Sequence, residues 1–77
     1  MNKVRRKTID ILLSRIEEIR SDIEILLDEE QESFDNMPEA FQDGERGEKA
    51  QESIDALEEA LSNLEEAVEN LDTAKGI

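Results

Sequence analysis

Ile54-Asp-Ala-Leu-Glu-Glu-Ala60, Leu61-Ser-Asn-Leu-Glu-Glu-Ala67 and Val68-Glu-Asn-Leu-Asp-Thr-Ala74 are three near-copies of one heptad. Apolar residues recur at Ile54, Leu57, Leu61, Leu64, Val68 and Leu71, in alternating steps of three and four. That period follows one face of an α-helix and does not fit the two-residue alternation of a strand. A strict seven-residue repeat, with apolar side chains at a and d, is the pattern of left-handed coiled-coil packing. Ala60, Ala67 and Ala74 share the g position, where a small residue lets another helix come close.

A second stretch of the same kind lies upstream. With Ile9 at position a, Ile9, Leu12, Ile16, Ile19, Ile23 and Leu26 fill a and d without a gap, and Arg5 and Glu30 end the seam on either side. This helix is apolar beyond that seam. Its e flank adds Leu13, Leu27 and Phe34, and its c positions add Val4, Ile11 and Ile25, interrupted by Glu18. Positions c and e lie on opposite sides of the a/d line, so the apolar arc is wide. A helix apolar over a wide arc is usually contacted from more than one side.

Between the two patterns runs Asp35-Asn36-Met37-Pro38-Glu39-Ala40-Phe41-Gln42-Asp43-Gly44. Asn36 and Pro38 stop the first helix, because the residue before a proline is pushed out of the helical region. Pro38 to Gln42 can form one helical turn. Asp43 is the expected N-cap of the second helix, with Glu45 and Glu48 in its first turns and Gly76 at its end. The expected fold is all-α: helices over about 3–34 and 44–74 form one antiparallel hairpin domain spanning residues 1–77. At 1.5 Å per residue each helix is roughly 45–48 Å long. Matched lengths and a short connection favour the hairpin.

Size and composition then suggest association. A chain of 77 residues with no Cys and no His has no disulfide, zinc site, thiol nucleophile or imidazole base. Two helices bury one stripe each, so a small core must be supplemented by a second copy or by unusually regular packing. Two hairpins closing into a four-helix bundle around a two-fold axis is the simplest solution. Ile16, Ile19 and Ile23, with Ile at both a and d, shift the preference beyond two strands in the same direction. Val4, Ile11, Leu13, Ile25 and Leu27 are the expected oligomer interface.

The charge is uneven. The net charge is −13, from 22 acids and 9 bases. Residues 1–20 carry six bases and three acids, whereas residues 21–77 carry nineteen acids and three bases. The basic start of the first helix sits at the positive end of its dipole, and Asp28, Glu29, Glu30 and Glu32 sit at the negative end. Both placements are unfavourable by roughly 0.3–1 kcal/mol per exposed charge. In a hairpin, Arg5, Arg6 and Lys7 are expected beside Glu65, Glu66, Glu69 and Asp72, offsetting part of that cost.

Four features are candidates for function. Asp55, Glu58, Glu59, Glu65, Glu66, Glu69 and Asp72 place about one carboxylate per 3.5–4 Å along the second helix. Duplex DNA carries about one charge per 1.7 Å, so a pair of such helices approaches that density and can mimic DNA towards a nucleic-acid-binding protein. The plainer alternative is a solvated face that keeps the protein soluble. Glu29-x-x-Glu32 and Glu52-x-x-Asp55 formally fit the paired acids of all-α, magnesium-dependent nucleoside-triphosphate pyrophosphohydrolases, but they fall on outward heptad positions. Phe34, Met37, Pro38 and Phe41 cluster at the loop, either as a plug for the core or as a docking tip. The basic segment Lys3, Arg5, Arg6 and Lys7 has no aromatic residue near it and is a weak nucleic-acid footprint.

The run Asp35-Asn36-Met37-Pro38-Glu39, with Glu45-Arg46-Gly47 and Ile54-Asp55-Ala56-Leu57-Glu58, resembles a group of small acidic proteins of bacterial and phage or prophage genomes. The resemblance covers residues 28–74, implies a bacterial or phage origin and brings no catalytic residue with it. The Trp-x-Gly loop of small secreted helical hairpins is absent, as the chain has no Trp. The longest apolar run near the start, Ile11-Leu12-Leu13, is too short for a signal or a membrane span. The sequence therefore predicts a non-enzymatic interaction module in the bacterial cytoplasm. It is expected to need no cofactor, to self-associate and bind a further protein partner, and to touch neither nucleic acid nor membrane directly.

Overall fold

The computed structural model describes all residues, Met1–Ile77. It contains α1 (Lys3–Asp35), the single turn α2 (Glu39–Gln42) and α3 (Glu45–Gly76), with no strand. The helices form a hairpin with principal extents of 58 × 16 × 11 Å. Its radius of gyration is 17.4 Å, against about 11–12 Å for a compact domain of this length. A rod only two helices thick encloses little. Ile9, Ala50 and Ile54 are the buried apolar residues, and only Ile54, 1% exposed, is fully enclosed.

The helix ends follow from local chemistry. Asn2 caps α1: its Oδ1 accepts from the Arg5 backbone N–H at 2.8 Å. At the other end the Asn36 N–H donates to the Glu32 carbonyl and the Met37 N–H to that of Phe34 before Pro38 stops the helix. The single turn after Pro38 forms as expected. The start of α3 differs from expectation. Asp43 closes α2, and the N-cap of α3 is Gly44, with no side-chain bond. Glu45 and Glu48 in the first turn and Lys75 in the last suit the dipole of α3.

The junction of α2 with both long helices explains one glycine. Gln42 Nε2 donates to the Phe34 carbonyl at 3.0 Å, tying α2 to the end of α1. The Gln42 backbone then lies against Gly47, which is buried. A Cβ at Gly47 would stand 1.9 Å from the Gln42 carbonyl oxygen. Only glycine allows that approach.

In α3 the buried and half-buried residues are Gly47, Ala50, Ile54, Leu57, Leu61, Leu64, Val68 and Leu71, joined by the g-position alanines. This is the seam that the heptads describe. In α1 the seam is rotated. The residues facing α3 are Ile9, Leu13, Ile16, Arg20, Ile23, Leu27, Glu30 and Phe34, which is the a/e line rather than a/d. Leu12, Ile19 and Leu26 at d remain 37%, 50% and 52% exposed. The cause lies in what e offers. Phe34 extends the apolar line to the loop, and the Arg20 stem covers the seam while its guanidinium reaches outward. That guanidinium lies 3.1 Å from Glu17, 3.9 Å from Glu24 and 3.6 Å from Glu65 of α3.

Arg20–Glu65 and Asp10–Lys75 are the two bridges between the long helices, and they mark the hairpin register. In both pairs the residue numbers sum to 85. Of the bases expected beside the α3 carboxylates, Arg6 shares a shallow cleft with Asp72, Lys75 and Gly76, but none of Arg5, Arg6 and Lys7 forms an ion pair, and Lys75 turns to Asp10.

Candidate interaction surfaces

Rotation of the α1 seam decides which apolar residues are free. Leu13 and Leu27, expected at an oligomer interface, are half-buried against α3. Val4, Ile11 and Ile25 are exposed at 73%, 60% and 56%. With Leu12, Ile19 and Leu26 they form a strip along positions c and d of α1. Sequence analysis placed those three d residues inside the hairpin and so missed them as surface. At about 100° per residue, the d residues of the strip lie roughly a quarter turn from the seam and the c residues about half a turn, on the side of α1 away from α3. Arg20 and Asp10, which hold the bridges to α3, lie on the opposite edge. The d residues therefore occupy one side of the hairpin and the interhelix bridges the other, with the c residues on the outer edge between them.

The g column of α1 runs down the middle of this strip and carries Thr8, Arg15, Asp22 and Glu29. Arg15 and Asp22 take part in none of the ion pairs within the chain. Antiparallel, right-handed helices put the g and c columns of α3 on the same side of the hairpin as the strip. Those columns hold Ala56, Ala60, Asn63, Ala67, Asn70 and Ala74, with no carboxylate. The acids of α3 are confined to b, e and f. Over residues 54–74 that side of the hairpin is thus small and uncharged on α3, against the apolar c and d residues of α1, while Arg46 and Lys49 occupy the same α3 columns towards the loop.

The second surface is the outer face of α3. Asp55, Glu58, Glu59, Glu65, Glu66, Glu69 and Asp72 are all exposed, and of the seven only Glu65 is in an ion pair. The third is the loop end. Phe34 and Met37 are half-buried and close the seam, Pro38 is exposed, and Phe41 is 47% exposed beneath Arg46, whose guanidinium carbon is 5.1 Å from the ring centroid. Glu29, Glu32, Glu52 and Asp55 are exposed, and no group of three or more carboxylates converges to hold a metal ion. No helix is long and apolar enough to cross a membrane. No known protein family, characterised protein or solved structure matches the chain.

Proposed function

We propose that this protein is a non-enzymatic protein–protein interaction module that self-associates, two hairpins closing into a four-helix bundle. The observation that carries the reading is the c/d strip of α1. A hairpin with three buried apolar residues leaves more apolar side chain outside than inside. Covering such a strip is favourable by about 25 cal/mol per Å² of apolar surface removed from water. Contiguous exposed apolar patches on soluble proteins mark interaction sites. The loop's resemblance to small phage and bacterial proteins supports an accessory role towards a host protein in the bacterial cytoplasm.

Sedimentation equilibrium tests this. The expected result is a dimer over micromolar concentrations, and a monomer for the triple variant Ile11→Gln, Ile19→Gln, Ile25→Gln. These sites do not face α3, so the variant chain should keep its hairpin. A wild-type chain that stays monomeric throughout would overturn the proposal.

A second reading rests on the seven exposed acids of α3. Such a face suits a basic nucleic-acid groove on another protein, with the protein acting as an acidic DNA mimic. Binding of that kind weakens steeply with salt, because exposed charges are screened within about 8 Å at physiological ionic strength. Capture of a nucleic-acid-binding protein at low salt and its loss at high salt is the result that would favour this reading.

A further inference from the structure

Accepting self-association as proposed above, the surface also carries the orientation of the second copy. We propose that two hairpins pair antiparallel about a two-fold axis that crosses α1 at Ile19 and α3 at Ala67. Four observations meet in this arrangement.

The first is charge. The first part of α1 carries Lys3, Arg5, Arg6, Lys7 and Arg15, and its later part carries Asp22, Glu24, Asp28, Glu29, Glu30 and Glu32. A parallel pair of α1 helices stacks base on base and acid on acid. An antiparallel pair sets each basic half beside the partner's acidic half, which is the complementarity that fixes register at interfaces. It also brings opposite charge to dipole ends that nothing in the hairpin neutralises: α1 has no acid in its first turn and no base in its last.

The second is symmetry of the strip itself. In an antiparallel pair, columns on the same flank of the contact line meet each other. Along d, Leu12 and Leu26 are equidistant from Ile19, so Leu12 meets the partner copy's Leu26 and Ile19 meets its own mate. Along c, on the outer edge of the contact, Ile11 and the second copy's Ile25 fall within two residues of the same height. On the central line Arg15 falls opposite Asp22 of the other copy, two groups that have no ion-pair partner within the chain. Ile19 is also the midpoint of α1, Lys3–Asp35, so the two helices overlap over their whole length. The cost is at Glu18, which meets its mate near the axis with an Arg15 within about one turn on either side.

The third observation is independent of α1. On α3, Ala60 and Ala74 are equidistant from Ala67, and Ala67 is the centre of the only side that lacks carboxylates. The fourth ties the two centres together. The bridges Arg20–Glu65 and Asp10–Lys75 set opposite residues of the hairpin at a sum of 85. Ile19 and Ala67 sum to 86, so both centres lie at one height along the rod. One two-fold axis therefore serves both helices. The handedness that puts the strip and the alanines on one side of the hairpin makes α1 neighbour its mate and α3 neighbour its mate, in a square bundle. Leu12, Ile19 and Leu26 then point to the bundle centre, against the alanines of α3.

The native chain has no Cys, so single cysteines report the pairing directly. The Leu12→Cys and Leu26→Cys chains, mixed and oxidised, should form a disulfide heterodimer in about tenfold excess over either homodimer. Ala60→Cys with Ala74→Cys should behave alike. Helix axes at roughly 8–10 Å bring facing Cα atoms within disulfide reach. Arg15→Asp alone and Asp22→Arg alone should each raise the dimer Kd about tenfold or more, and the two changes in one chain should restore it. Efficient homodimer linkage of Leu12→Cys, or absence of rescue by the double charge reversal in a chain that still dimerises, would overturn this register and leave self-association standing. A wild-type chain that is monomeric throughout would overturn both.

Discussion

Replacing Gly47 by alanine sets two opposed effects against each other, so the sign of the outcome is informative. In a free helix the change is favourable by about 0.5–1 kcal/mol, because glycine loses more backbone freedom on folding. Here an added Cβ would lie 1.9 Å from the Gln42 oxygen, 2.5 Å from its carbonyl carbon and 2.7 Å from its Cα. All three are backbone atoms, so no side-chain rotation relieves the contact. The α2 turn must withdraw by about 1 Å to clear 3.0 Å. Overpacking of this kind costs about 1–3 kcal/mol. If α2 instead detaches, the Gln42–Phe34 hydrogen bond is lost, worth about 1 kcal/mol. Net destabilisation of about 1–2 kcal/mol follows, or a fall in Tm of roughly 5–15 °C for a chain of this size. Thermal melts followed by circular dichroism, at one fixed protein concentration because association shifts Tm, measure it. Gly76→Ala is the control: its Cβ meets nothing within 4 Å, and its Tm should hold or rise slightly. A Gly47→Ala chain that melts at or above the Gly76→Ala chain would refute the close approach of α2.

Two further outcomes follow from the hairpin seam. Ile54→Ala removes the one fully enclosed side chain and should cost about 2–5 kcal/mol, read by urea denaturation with an unchanged m-value. Arg20→Met should be nearly neutral, since exposed ion pairs contribute little and the thioether chain still covers the seam, whereas Arg20→Ala should destabilise through lost packing; equal losses in the two would show that the bridges themselves hold the helices together.

The helical class and the hairpin could be read from the residues because both rest on local rules. Heptad spacing, Pro38 and the terminal glycine act within a turn or two, and the helices extend over nearly the expected ranges. The N-cap of α3 was not legible. Asp43 has the right chemistry, but the α2 turn uses it as its own C-cap, and Gly44 takes the place. Gly47 looked like one more helix residue. Its role depends on Gln42 folding back, which no periodicity records.

The exposed apolar strip of α1 was legible only in part. The width of the apolar arc on α1 pointed to a second contact, and Val4, Ile11 and Ile25 were on the exposed side. Leu13 and Leu27 were assigned to that contact and face α3 instead. The acids of α3 were placed outward by the same heptad that placed its leucines inward.

Sequence alone determined that this chain forms two long amphipathic helices of opposite direction, with α3 presenting a/d inward and b, e and f as carboxylate. It did so because the large apolar side chains of α3 fill only a and d, flanked by alanine at g and by polar residues elsewhere, which offers a single way to face a partner. The α1 arc takes in four columns, a, c, d and e, so a/d and a/e seams are both available to it from local pattern. Only the tertiary structure chose a/e, because Phe34 and the Arg20 stem complete that line against α3 and Arg20 reaches Glu65 across the gap. That rotation of one helix about its own axis leaves Leu12, Ile19 and Leu26 on the surface.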